Sequence, residues 1–200
     1  MNKRILIAGF GMLFAAAMRL PAQGNTAELY GGYAYAKAYP DPTLPKQNMS
    51  GWIGSATGYA ARWFGASVEI SAGFGSISAP GVQAPSLHFK EYSYLAGPQF
   101  RFIDTKKAQV GFKALIGGAF GQANLASTTA PAQAQALGNA GYAGFNQTKF
   151  AALFAVPVDF SLCKLVAIRF EPGLYLTDFS KTKESNFRFS IGPVFRFGGK

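Results

Sequence analysis

The chain has 200 residues, a one-domain length, and combines 49% hydrophobic and only 14% charged residues with 24 Gly and 19 Phe, unlike an ordinary soluble enzyme. No stretch after residue 20 is long enough for a transmembrane helix, and one Cys (Cys163) with one His (His88) excludes a disulfide framework, a multi-Cys zinc site and a metal centre built from several His. The formal net charge of +10 must be explained by position.

Met1-Asn-Lys-Arg supplies a basic start, Ile5 to Met18 an apolar run of 14, and Leu20-Pro-Ala-Gln-Gly24 a small-residue end. Together these read as a secretory signal peptide with its cut after Ala22 or Gly24, because the apolar run is too short to span a bilayer comfortably. Residues 1–23 are expected to be removed and 24–200 to form the folded domain. Lys3, Arg4 and Arg19 leave with the leader, so the mature chain carries 16 basic against nine acidic groups.

From Ala27 onward the sequence breaks into segments of about ten residues with period-two alternation, separated by Gly, Pro, Asn or charged clusters, the pattern of strands. Eight are predicted: 27–36, 51–60, 64–74, 89–102, 109–120, 149–160, 165–177 and 186–197. The connections alternate in length, long at 37–50, 75–88, 121–148 and 178–185, short at 61–63, 103–108 and 161–164. In an up-and-down antiparallel meander the long connections then share one rim and the tight turns the other. The last strand shows its faces most clearly, with Phe187, Phe189, Ile191, Pro193, Phe195 and Phe197 on one side and Arg188, Ser190, Gly192, Val194 and Arg196 on the other. Segments 64–74, 109–120 and 165–177 repeat this pattern; 51–60 has no clear parity.

Alternation does not say which face points inward, because a soluble barrel that binds an apolar ligand has the same period with its apolar side chains inside. The polar faces here are mostly Gly, Ala and Ser with isolated charges near mid-strand, which suits a narrow interior better than a water-facing surface. Trp52, Trp63, Phe74, Phe89, Tyr92, Phe179, Phe187 and Phe197 gather near strand ends, as interfacial aromatic girdles do. The expected fold is all-β, an eight-stranded antiparallel up-and-down transmembrane β-barrel with its apolar bands facing lipid.

Residues 94–102, YLAGPQFRF, match 189–197, FSIGPVFRF, with Gly, Pro, Phe, Arg and Phe in register. Each closes a half of four strands, as a trace of duplication or as two strands solving one problem: aromatic outside, Arg inside, Pro where a ladder donor can be spared. With the leader, the opening ELYGGYAYAK, the segment GYAARWFGASVEISAGFG, the GPQFRF strand and the closing FRFSIGPVFRFGG, the chain from Ala27 to Phe197 resembles the small eight-stranded outer-membrane β-barrels, the OmpA-like transmembrane domain and its stand-alone relatives. The resemblance implies a single-chain, integral barrel in the outer membrane of a Gram-negative bacterium, with long loops outside the cell and tight turns in the periplasm. Two departures stand out. Family members usually end on an aromatic residue read by the assembly machinery, whereas Phe197 is followed by Gly198-Gly199-Lys200, and a peptidoglycan-binding domain after the barrel is not expected.

Inward parity assigns Glu28, Glu69, Glu91, Glu171, Arg101, Lys113, Arg169, Arg188 and Arg196 to the lumen, opposite charges in a narrow space and hence an ion-pair network. Closure brings Glu28 and Arg196 to similar height, and Glu69 can reach Lys113 across Gly97, which has no side chain. An eight-stranded interior is just wide enough for side chains to fill, so the network is expected to plug the lumen; a narrow porin-like channel for small solutes or ions is the alternative. Catalysis is not expected, since His88 lies beside Ser86 without a triad context and Cys163 stands alone in a tight turn. No cofactor or metal is implied. The expected partners are outer-membrane lipid, the assembly machinery during biogenesis and an unknown surface partner met through the loops. Scattered positive charge argues against nucleic acid, and a monomer is expected.

Overall fold

The computed structural model describes residues 27–38, 47–77, 87–125, 135, 146–178 and 184–198. Period-two alternation becomes nine strand segments: β1 (Ala27–Ala38), β2 (Gln47–Tyr59), β3 (Phe64–Ile77), β4 (Leu87–Asp104), β5 (Ala108–Leu125), β6 (Asn146–Ala155), β7 (Val158–Ser161), β8 (Val166–Thr177) and β9 (Glu184–Phe197). All neighbours run antiparallel, and β1 pairs with both β2 and β9, so the sheet closes on itself.

β6 and β7 are one stave. Val110 faces Val158 and Lys113 faces Ala155, so the register passes unshifted through Val156-Pro157. The break arises because Pro157 has no N–H to give the ladder. Its carbonyl still accepts from Gly111 N at 2.9 Å, and Val156 N donates to Pro172 O at 2.9 Å. The result is the closed eight-stranded up-and-down barrel that the alternation predicts.

The staves run further toward the long-connection rim than the hydrophobic pattern indicates: β1 continues to Ala38, β3 to Ile77 and β5 to Leu125, while β2 starts at Gln47 and β6 at Asn146. There Lys37, Asn48, Ser76, His88, Asn146 and Gln147 interrupt the apolar alternation, yet the ladder continues. Alternation reports which face is buried, whereas strand pairing needs only backbone groups. At 18 residues each, β4 and β5 reach about 60 Å along the strand, well beyond the roughly 9–11 residues that cross a bilayer.

At the opposite rim the turns are tight. Ala60 N and Ala61 N both donate to Phe64 O at 3.1 Å, Thr105 N donates to Ala108 O at 3.0 Å, and Leu162 N donates to Val166 O at 3.0 Å. One bulge interrupts the walls where β4 shifts register against β5 between Arg101 and Ile103.

Burial fixes the two faces. Phe102 is 70% exposed, Ile116 63% and Phe150 59%, while on the other parity Glu28, Glu69, Lys113, Arg169 and Glu171 are buried. The aromatic faces therefore do not line a cavity, as a soluble barrel for an apolar ligand would require. β2, whose parity the sequence leaves open, turns Ile53, Ser55, Thr57 and Tyr59 inward and Trp52 outward. Residues 1–26 and Phe179 lie outside the described residues, and with them the expected leader and one of the expected girdle aromatics.

Candidate functional site

The interior holds the chain's concentration of chemistry. Ten charged side chains are buried there among the described residues, Glu28, Glu69, Glu91, Asp159 and Glu171 against Arg101, Lys113, Arg169, Arg188 and Arg196, five of each sign. This buried set is thus charge-neutral.

Near the tight turns, Glu28 on β1 stands opposite Arg196 on β9 in the closing ladder. Its carboxylate takes Arg101 Nη2 at 2.7 Å on Oε1 and Arg169 Nη2 at 2.9 Å on Oε2, with Arg196 Nε at 3.5 Å. Asp159, on β7, joins from the far wall: Arg169 Nε reaches its Oδ1 at 2.7 Å and Arg196 Nη2 its Oδ2 at 2.9 Å. Tyr59 at the end of β2 donates its hydroxyl to Glu28 at 3.1 Å, accepts from Gln99 Nε2 at 2.7 Å, and lies under the Arg101 guanidinium with 4.1 Å to the ring centroid. Parity places all these groups inside: Glu28 shares a face with Tyr30, Arg101 with Gln99, and Asp159 with Ala155.

Nearer the middle of the barrel, Glu69 on β3 binds Lys113 Nζ at 2.7 Å and Arg188 Nη2 at 2.6 Å. Lys113 also touches Glu171 at 2.8 Å, and Arg188 lies 3.7 Å from it; neither Glu171 oxygen has an aligned hydrogen bond. The Lys113 side chain is 0% exposed, the clearest sign that these charges replace water with one another. Toward the long-connection rim, Tyr175 donates to Glu91 at 2.5 Å, and Ser71 and Ser93 hydroxyls meet at 2.7 Å. A cavity of about 30 Å³ there is lined by Met49, Ser71, Glu91, Tyr175 and Arg188, and one of about 10 Å³ lies by Tyr59, Gln99, Arg101 and Asp159. Both are of water size.

All nine charges read from inward parity thus lie in the interior. Sequence reasoning missed Asp159, Tyr59, Gln99 and Tyr175. The signal for Asp159 was present: it alternates with Phe154, Val156 and Phe160, all exposed. The proline two residues before it hides the pattern.

On the outer face, Trp52, Trp63, Phe74, Tyr92, Phe187 and Phe197 are exposed, and Phe74 meets Tyr92 edge-on at 6.2 Å. Phe89 is different, because it shares the parity of Glu91 and faces the lumen side at the long-connection rim. His88 Nδ1 lies 3.4 Å from Ser76 Oγ on the exposed outer face, and among the described residues no carboxylate is paired with it. Among the described residues no group of His, Cys, Asp and Glu could hold a metal ion.

This architecture, a closed eight-stave barrel with apolar side chains outside and charges within, is that of the small outer-membrane β-barrels. Solved structures of that class superpose on it at low identity. Neisserial surface protein A matches with a TM-score of 0.60 at 16% identity over 86% of this chain and 97% of that one. Ail, the attachment invasion locus protein of Yersinia pestis, matches at 0.56 and 16% over 86% and 99%, and the outer membrane protein OprG from Pseudomonas aeruginosa at 0.55 and 14% over 89% and 100%. No protein-family model and no curated protein matches the sequence.

Proposed function

We propose that the chain is an integral outer-membrane barrel of a Gram-negative bacterium, closed by its ion-pair network, that serves envelope structure or surface interaction through its long connections. The observation that carries this reading is the inverted distribution of side chains. Exposed Phe, Trp, Ile and Leu form the outer wall, and a neutral set of five buried acids and five buried bases fills the middle. A wall of that kind is stable in lipid and a liability in water. Two charge clusters are stacked along the axis, and the cavities beside Met49 and Arg188 and beside Tyr59 and Asp159 are of water size, which supports the closed reading.

Ail carries attachment in its name, and a comparable contact made by the long connections of this chain belongs to the same proposal. Lipid and the outer-membrane assembly machinery are its expected partners, and a monomer suffices because the sheet has no free edge. No catalytic role is proposed. The polar interior supports a second reading, a narrow ion or solute path.

Planar-bilayer recording on the refolded mature chain, with heat-modifiable gel migration checked on the same sample, decides between them. A folded, electrically silent barrel supports the closed lumen. Discrete, reproducible steps would make it a pore, and a chain that stays in the aqueous phase without detergent would remove the membrane reading altogether.

A further inference from the structure

Among the described residues outside the neutral buried set, three lysines lie close together on the tight-turn rim. Lys106 and Lys107 lie in the turn between β4 and β5, and Lys164 lies in the turn between β7 and β8. All three are exposed, and none forms an ion pair among the described residues. The two turns are joined: Ser161 N donates to Lys107 O at 2.9 Å. The nearby acid, Asp104, accepts from Gln109 Nε2 at 2.6 Å and lies 3.7 Å from Arg101, and it leaves these three lysines against one acid on this rim.

Apolar side chains alternate with these cations. Leu162 and Leu165 flank Lys164 at 66% and 62% exposed, and Trp63 is 61% exposed one turn away. Trp63 is fixed beside the β4–β5 turn, because Arg101 N donates to its carbonyl at 2.8 Å and its ring stacks 6.2 Å from Phe100, itself 6.5 Å from Phe102. Aliphatic and indole groups side by side with ammonium groups on one rim match the chemistry of an anionic lipid headgroup layer and the acyl chains beneath it.

We propose that the arc from Trp63 through Lys106 and Lys107 to Lys164 is a binding surface for anionic phospholipid headgroups, one that selects anionic over zwitterionic lipid at the tight-turn end of the barrel. This rests on the membrane reading above.

Trp52 and Trp63 are the two tryptophans of the chain, so Trp52→Phe leaves Trp63 as a reporter of its own rim. The experiment refolds this variant into phosphatidylcholine vesicles doped with either brominated phosphatidylglycerol or brominated phosphatidylcholine at equal mole fraction and measures quenching of Trp63. At low salt the brominated phosphatidylglycerol should quench about twofold more strongly or better, from local enrichment by three cations. The difference should vanish at high salt and in K106E/K107E/K164E, whose folding is verified by heat-modifiable migration. Equal quenching by both lipids at low salt overturns the proposal while leaving the membrane reading intact. If neither lipid quenches Trp63 and the chain does not float with vesicles, the membrane reading falls, and this surface falls with it.

Discussion

Arg101 and Arg196 reach the same carboxylate oxygen, Glu28 Oε1, at 2.7 and 3.5 Å, from the same position of two matching segments, GPQFRF on β4 and GPVFRF on β9. The correspondence extends to the backbone. Pro98 and Pro193 each fall where ladder pairing to the next stave lapses, against β5 and β1 respectively. The glycine before each lies so close to the facing strand that a Cβ would run into a carbonyl, Ala114 O for Gly97 and Gly31 O for Gly192. The repeated letters therefore encode one local solution used twice: a close approach, an aromatic outside and an arginine aimed at Glu28.

Glu28→Gln should be strongly destabilising, because it leaves Arg169 and Arg196 buried with Asp159 as their anion and Arg101 with the half-exposed Asp104 at 3.7 Å. Losing one partner of such a network costs about 3–5 kcal/mol. The measurement is the urea midpoint of the refolded barrel in vesicles. In a cycle with Arg101→Gln, the double variant should lose less than the two singles combined, and simple additivity would show that the pair is not coupled.

Ile116→Arg separates lipid from water as the outer solvent. Ile116 is 63% exposed near the middle of β5, between Ala96 and Ala152. On a lipid face, arginine at the bilayer midplane costs about 2–4 kcal/mol, whereas at a water-exposed site the change would be nearly neutral. A midpoint unchanged within error in vesicles would count against a lipid-facing wall.

Gly192→Val should impair closure of the barrel, because a Cβ at Gly192 meets Gly31 O and lies 2.5 Å from Gly32 Cα across the β1–β9 seam. Gly31→Ala is the matched control, with nothing nearer than Ile53 O at 3.9 Å. The heat-modifiable fraction after refolding should fall sharply for the first and stay near wild type for the second.

Glu69→Ala and Arg101→Ala should each remain electrically silent in planar bilayers. Glu69 belongs to the central cluster with Lys113 and Arg188, and Arg101 to the cluster at Glu28, so each variant leaves the other barrier in place. Channel steps in Glu69→Ala alone would identify the central cluster as the sole closure.

The staves and their faces were legible because a barrel wall between two different media forces strict alternation, and Phe187 to Phe197 against Arg188 to Arg196 displays it residue by residue. The strand ends were not, since Asn48, Ser76 and His88 pair through their backbones without burying an apolar face. Parity located charges but not their partners. Glu69 does meet Lys113 across the β4 wall position of Gly97, yet it meets Arg188 from the opposite side as well, a contact set by barrel curvature that no linear pattern contains. Asp159 escaped notice because Pro157 breaks the stave into β6 and β7 just before it.

The closing ladder sets Glu28 opposite Arg196. Sliding β1 against β9 by two residues would keep every apolar side chain on its own face, so hydrophobic alternation is blind to that error. Such a slip would set Glu28 against Val194 or Gly198, stranding a carboxylate and several guanidiniums without their partners in the buried interior. The salt bridges at the seam therefore act as a proofreading key: the apolar pattern admits a family of closures spaced two residues apart, and the buried charges accept one.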